Sequence, residues 1–243
     1  MLYQRGFGVV LCVFLAGFTH FFGQNESNLA KLTRETVVDY TEKTLGLDDL
    51  LVNGEKYQPP NIKVNKSPNF EWGELKGSKL FIKGELYSNI KLIYDISLDQ
   101  LVLDNGRGKY IVLNSSYVDS FYLGYNHFIK LDNQKNEFGK FGYFEKINSK
   151  GDLLLKKYNK KIIKIYDSQN PDGRFSSQKY TYYIYNNNKL TEVDSKKAFL
   201  RYYGNKRKEI WNFLKKNKIK YRKASNNELV KLMDFCFDTK LLN

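Results

Sequence analysis

The chain has 243 residues and a formal charge of +14, from 40 Lys and Arg against 26 Asp and Glu. Two His and two Cys are too few for a multi-histidine metal centre or a disulfide framework. No HExxH, GxSxG, phosphate-loop or CxxC spacing follows the N-terminal leader, so carboxylates are the only plentiful catalytic groups.

The N-terminus, "MLYQRGFGVVLCVFLAGFTHFFGQNESN", sets Arg5 and the terminal amine before an apolar run from Phe7 to Phe18, and small and polar residues follow. This layout is that of a secretory signal peptide over 1–23, with the cut after Gly23 exposing Gln24. The run is shorter than the roughly 20 residues of a membrane-crossing helix, and a retained anchor is the second reading. Cys12 lies within the run behind "VVL", without the small residue that precedes an acylated cysteine. Cleavage removes Arg5, Cys12 and His20, leaving His127 and Cys236 and no internal disulfide. Export also changes what the charge implies. The expected partners are an acidic envelope glycan, an anionic lipid surface or another envelope protein, with nucleic acid not expected and no transmembrane span after cleavage.

Residues 24–49 read as an arm or short helix, since Leu29, Leu32, Val37 and Tyr40 fall at near-helical spacing. Asn53-Gly54 is a hairpin-turn signal, and Pro59 and Pro60 forbid a central strand. From about residue 70 the period becomes two. Leu92, Tyr94, Ile96 and Leu98 alternate with Ile93, Asp95 and Ser97, predicting one buried face and one facing water. "DNGRG" at 104–108, Ser149 to Gly151 and Asn186 to Asn188 read as turns between further strands. Strands joined by turns without intervening helices predict an antiparallel sheet over 50–194.

Helical spacing begins near Ser195. Phe199, Tyr202 and Tyr203 share one side and Gly204 ends the segment, after which Asn205 is the expected cap of a second helix reaching about Lys216. Ile210, Phe213 and Leu214 form its apolar stripe, with Trp211 at the stripe's edge. Ser225 and Glu228 form a capping box before Leu229, Leu232, Met233 and Cys236. Residues 195–243 are thus expected as helices packed on the sheet. The fold class is α+β, mainly antiparallel β as sandwich or open barrel, with a C-terminal helical tail.

The basic stretch "KRKEIWNFLKKNKIKYRK" supplies the candidate binding residues Lys206, Arg207, Lys208, Trp211, Lys215 and Lys216. Their alternative is a solvated helix face whose aromatics belong to core and rim. The candidate carboxylates of a glycan hydrolase are Asp95, Asp99, Asp119 and Glu145, since such chemistry needs two facing across a cleft. Solvated strand and turn positions are the competing reading. His127 reads as structural, Cys236 as a buried thiol on an apolar stripe. "SQNPDGR" at 168–174 lacks the ligand set of a calcium loop and reads as a turn. No metal and no cofactor is expected. The 19 Tyr suit either sheet packing or an exposed contact surface for carbohydrate or protein.

Several stretches in order, "LLVNGEKY", "IKGELYSNIKLIYDISLDQLVL", "YVDSFYLGYNHFIKL", "FGYFEKINSKGDLLLKKYNKKI" and "SKKAFLRYYGNKRKEIWNFLKKNKI", together with the signal-end "FFGQ", resemble exported proteins of uncharacterised function from Bacteroidota-type bacteria. The resemblance implies export, a β-rich body and C-terminal helices, and carries no catalytic residue. The expected function is a non-catalytic binding or accessory module of the cell envelope, using Tyr-rich strand faces and basic patches; the alternative is a carboxylate-dependent envelope glycan hydrolase.

Overall fold

The computed structural model describes residues 51, 54–60, 62, 67–70, 75–104, 109–131, 142–164, 166 and 172–241. The expected signal peptide, the arm at 24–49, Asn53, the turn residues 105–108 and residues 168–171 lie outside them.

Among the described residues the first strands are β1 (Gly54–Lys56), β2 (Leu75–Ile82), β3 (Glu85–Asp95), β4 (Gln100–Asp104) and β5 (Tyr110–Leu113). The chain continues with β6 (Val118–Leu123), β7 (Asn126–Lys130), β8 (Tyr143–Lys146) and β9 (Leu153–Asn159). A short pair, β10 (Ile162–Ile163) with β11 (Arg174–Phe175), stands apart, and β12 (Lys179–Asn186) and β13 (Lys189–Glu192) finish the strands. Three helices follow: α1 (Lys196–Tyr202), α2 (Arg207–Lys216) and α3 (Asn226–Leu241).

Eleven strands form one antiparallel sheet in the order β1-β5-β4-β3-β2-β6-β7-β8-β9-β12-β13. Most neighbours are also chain neighbours, which is the outcome expected of strands joined by tight turns. Two of those turns hold left-handed residues, Lys83 with Gly84 and Asn187 with Asn188, as two-residue hairpins require.

The sheet curls instead of splitting into two stacked layers. Tyr94 of β3 packs edge-on against Tyr143 of β8 at 5.7 Å, although β2, β6 and β7 lie between those strands. Strands sit about 4.8 Å apart, so a flat sheet would hold the two rings roughly 19 Å from each other. Phe121 and Phe128 fill the concave side between them, stacked at 4.9 Å. Residues 67–70 bridge the remaining gap. Phe70 N–H donates to the Tyr94 carbonyl, Ile96 N–H to that of Pro68, and Lys160 Nζ reaches the Ser67 and Asn69 carbonyls at 2.7 Å each. The antiparallel sheet with helices packed at its C-terminal end is the α+β class expected.

The β9, β12 and β13 end carries the helices. Leu154, Tyr182, Ile184 and Val193 share a core with Phe199, Leu200 and Tyr203, with Ile210 and Leu214 of α2, and with Leu229, Leu232, Met233 and Cys236 of α3. The Ser225 and Glu228 box caps α3, with Ser225 N–H donating to Glu228 Oε2 at 2.8 Å and Glu228 N–H to Ser225 Oγ at 3.3 Å.

Three local expectations change. The alternation along β3 and into the next turn holds for Leu92, Tyr94 and Ile96, which are buried against half-buried Ile93 and Ser97, and breaks elsewhere: Asp95 is fully buried, Leu101, Val102 and Leu103 are all buried, and Leu98 is exposed. Asp95 is buried because the turn after it folds its hydrogen-bond donors onto the carboxylate, and Leu98 belongs to that turn. The second helix begins at Arg207 instead of after Asn205, because left-handed Gly204 opens a 3-10 turn over Gly204–Lys206 first. Among the described residues Tyr side chains do not form a broad exposed face. Tyr87, Tyr94, Tyr143, Tyr158, Tyr182, Tyr203 and Tyr221 are buried, and the exposed Tyr110, Tyr125 and Tyr166 are scattered.

Candidate functional site

Asp95 and Asp99 stand at the two ends of the β3–β4 turn, while Asp119 lies on β6 and Glu145 on β8. Asp95 Oδ1 accepts from the Ser97 N–H, the Ser97 hydroxyl and the Leu98 N–H, and its Oδ2 accepts from Tyr57 at 2.7 Å. It therefore pins the β3–β4 turn. Asp99, left-handed in that turn, accepts from Tyr94 Oη and pairs with Lys157. Asp119 accepts from the Gly84 N–H at 2.7 Å and holds the β2–β3 hairpin.

Glu145 is 1 % exposed and fully engaged. Tyr158 Oη donates to its Oε2 at 2.7 Å, Asn226 Nδ2 to its Oε1 at 2.8 Å, and Lys156 Nζ lies 3.2 Å away. Burial, then the Glu145 charge, pushes the Tyr158 hydroxyl far above its ordinary range and keeps it a donor. The burial of Asp95 and Glu145 corrects the reading of solvated strand positions. Among the described residues each of the four accepts hydrogen bonds from its own set of partners within the fold.

The basic residues behave differently. Ser195 caps α1 by accepting from the Ala198 N–H at 3.1 Å, which makes Lys196 and Lys197 the first helical residues. One turn on, Leu200 points into the core and is 6 % exposed. Gly204 then reverses the chain, and α2 opens with Arg207 and Lys208, followed a turn later by Trp211. These six residues line a cleft of about 590 Å³. Leu200 and Trp211 supply its apolar surface and the four cations its charge; among the described residues no carboxylate lines it.

Among the described residues none of the four cations is in an ion pair; the acid beside them, Glu209, pairs with Lys206 at 3.7 Å. Their placement also opposes helix stability. The N-terminal end of a helix carries partial positive charge and favours acids, with each cation there costing about 0.3–1 kcal/mol. Yet α1 has no acid in its first turn, and both helices begin with two basic residues.

Of the six candidate binding residues, the structure brings Arg207, Lys208 and Trp211 into the cleft. Lys206 turns to Glu209, and Lys215 lies 5.3 Å from the centre of the Trp211 ring, just outside. Lys215 and Lys216 occupy the last turn of α2, where cations suit the helix end. Lys196, Lys197 and Leu200 were not among the candidates. Their signal was the pair of lysines opening "SKKAFLR", echoed by "KRK" ahead of the next helix.

His127 is stacked on Tyr122 at 4.2 Å, with its Nε2 buried. Burial, then the Lys146 charge, lowers its pKa. Cys236 is a buried thiol. Among the described residues no group of His, Cys, Asp and Glu could hold a metal ion, and no helix is long and apolar enough to cross a membrane. Neither a family model nor a curated protein nor a solved structure matches this chain.

Proposed function

We propose that the protein is an exported, non-catalytic binding module of the cell envelope that holds an anionic ligand in the cleft between α1 and α2. One observation carries the reading: Lys196, Lys197, Arg207 and Lys208 meet around one recess that no described carboxylate lines. Like charges gathered at two helix starts raise the energy of the unliganded fold, and an anion placed among them relieves that repulsion. The signal-like N-terminus supports export, and the engagement of all four candidate carboxylates in the fold supports a binding role over hydrolysis.

The test joins address to binding. The native host is fractionated, the N-terminus of the mature protein is sequenced, and the purified protein is titrated with a sulfated dextran oligosaccharide at low and high salt. Expected are a start at Gln24 in an envelope or secreted fraction, and binding that weakens with salt because exposed charges are screened over about 8 Å at physiological ionic strength. An intact Met1 in the cytoplasm defeats the envelope reading. Equal binding by the Lys196→Gln, Lys197→Gln, Arg207→Gln, Lys208→Gln variant defeats the cleft.

A further inference from the structure

Resting on the cleft as an anion site, we infer that its ligand is a sugar chain bearing sulfate or phosphate ester groups. The charge sets the first condition. Four cations share about 590 Å³, so a ligand that satisfies them must bring several negative charges into a short length. Chains with one carboxylate per sugar unit leave part of the cluster unmatched, whereas sulfate or phosphate esters can put two anions on a single ring. The Arg207 guanidinium adds a planar fork that suits the oxygens of such esters.

Trp211 sets the second condition. Its side chain is 42 % exposed yet forms a wall of the cleft, with Leu200 as the other apolar surface. A bare inorganic anion gains nothing from an indole face. The C–H face of a sugar ring gains a flat apolar contact there while its ester groups reach the surrounding cations. Lys208, Trp211 and Lys215 then follow at i, i+3 and i+7 on one exposed stripe, spanning about 10 Å along the helix. That stripe gives a chain leaving the cleft a continuation of alternating charge and ring.

Competing polymers fit less well. Single-stranded nucleic acid binds on repeated aromatic platforms, one for each base, and this stripe of α2 offers one ring. A membrane surface is met by apolar side chains that insert into it, whereas Leu200 is buried at the back of a recess.

Calorimetric titration of the mature protein at physiological ionic strength tests the inference. The probes are a sulfated dextran oligosaccharide, a galacturonate oligosaccharide of equal length, a neutral dextran oligosaccharide, short-chain inorganic polyphosphate, and phosphatidylglycerol vesicles. The sulfated sugar is expected to bind at least about tenfold more tightly than the carboxylated one, and the neutral sugar not to bind. Trp211→Ala and the apolar but ringless Trp211→Leu are both expected to weaken the sulfated sugar about tenfold and to leave polyphosphate unchanged. Replacing Lys79, Lys179 and Lys189, exposed on the sheet, and Lys150, exposed in the loop between β8 and β9, by Gln is expected to leave binding intact. Polyphosphate or vesicles binding as tightly as the sulfated sugar, or Trp211 variants without effect, overturn the sugar while the anion site stands. Loss of binding in the Lys79, Lys150, Lys179 and Lys189 variant, or no anion bound by the natural protein, overturns both.

Discussion

Lys156 is a charged residue with 9 % of its side chain exposed, and what surrounds it explains how the fold tolerates it. Its ammonium lies between Glu145 and Asn226 Oδ1, and the Tyr158, Tyr180 and Tyr182 rings stand 5.3 to 5.8 Å from it. Removing the cation alone strands a buried carboxylate, so Lys156→Met should cost about 3 to 5 kcal/mol in urea unfolding. Lys156→Met combined with Glu145→Leu should recover much of that loss. Neither variant that still folds should lose anion binding, whereas a hydrolase built on Glu145 would lose its turnover. His127 gives a pH signature of its own. Its folded pKa lies below the ordinary 6.5, so the unfolded chain takes up the proton first. Its contribution to stability is complete above 6.5 and is lost as pH falls through the lower folded value, a drop that His127→Gln should remove from the stability profile.

At the scale of the element, α3 is held at its first turn from two sides. Asn226 ties it to Glu145 on β8, while Ser225 caps it. Ser225→Ala should cost about 1 kcal/mol by chemical unfolding. Hydrogen bonds from the Ser225 backbone and hydroxyl hold the Glu228 carboxylate below its ordinary 4.5, so the box contributes fully above that value. It weakens as pH falls through the lower folded pKa, and the cost of Ser225→Ala should shrink there. Ser225 and Glu228 were legible in sequence because a capping box is local, as were the stripe of Ile210 and Leu214 and the turn at Asn187 and Asn188. Contacts that join distant segments were not. The pairing of β2 with β6 and the closure by residues 67–70 depend on how far the sheet curls, which a period of two does not encode. Asp95 followed that period toward water on paper, but its oxygens fold back onto the next turn and onto Tyr57. Gly142 marks another nonlocal contact. A Cβ there would stand 1.6 Å from Asp99 Oδ2 and 2.2 Å from Lys157 Nζ, so Gly142→Ala should displace the tips of that ion pair.

For the molecule as a whole, the net charge of +14 is an average over two different arrangements. Lys156 and Lys157 are held by carboxylates inside the sheet, and Lys215 and Lys216 sit at a helix end that favours them. Lys196, Lys197, Arg207 and Lys208 have neither advantage. Sequence reasoning reached Arg207, Lys208 and Trp211 through their density in one stretch, but only the turn at Gly204 brings Lys196 and Lys197 beside them. This contrast yields a prediction that separates a binding site from a merely solvated face. Replacing all four cleft cations by Gln removes repulsion among them and with the positive ends of two helices. The variant should therefore gain about 1 kcal/mol of stability in low salt, with the gain shrinking as salt rises. It should also lose anion binding. Sites where function and stability pull in opposite directions are those shaped for a partner. A variant that instead loses stability would mean that these four side chains act as packing along their aliphatic stems, and the case for a charged cleft would fall with it.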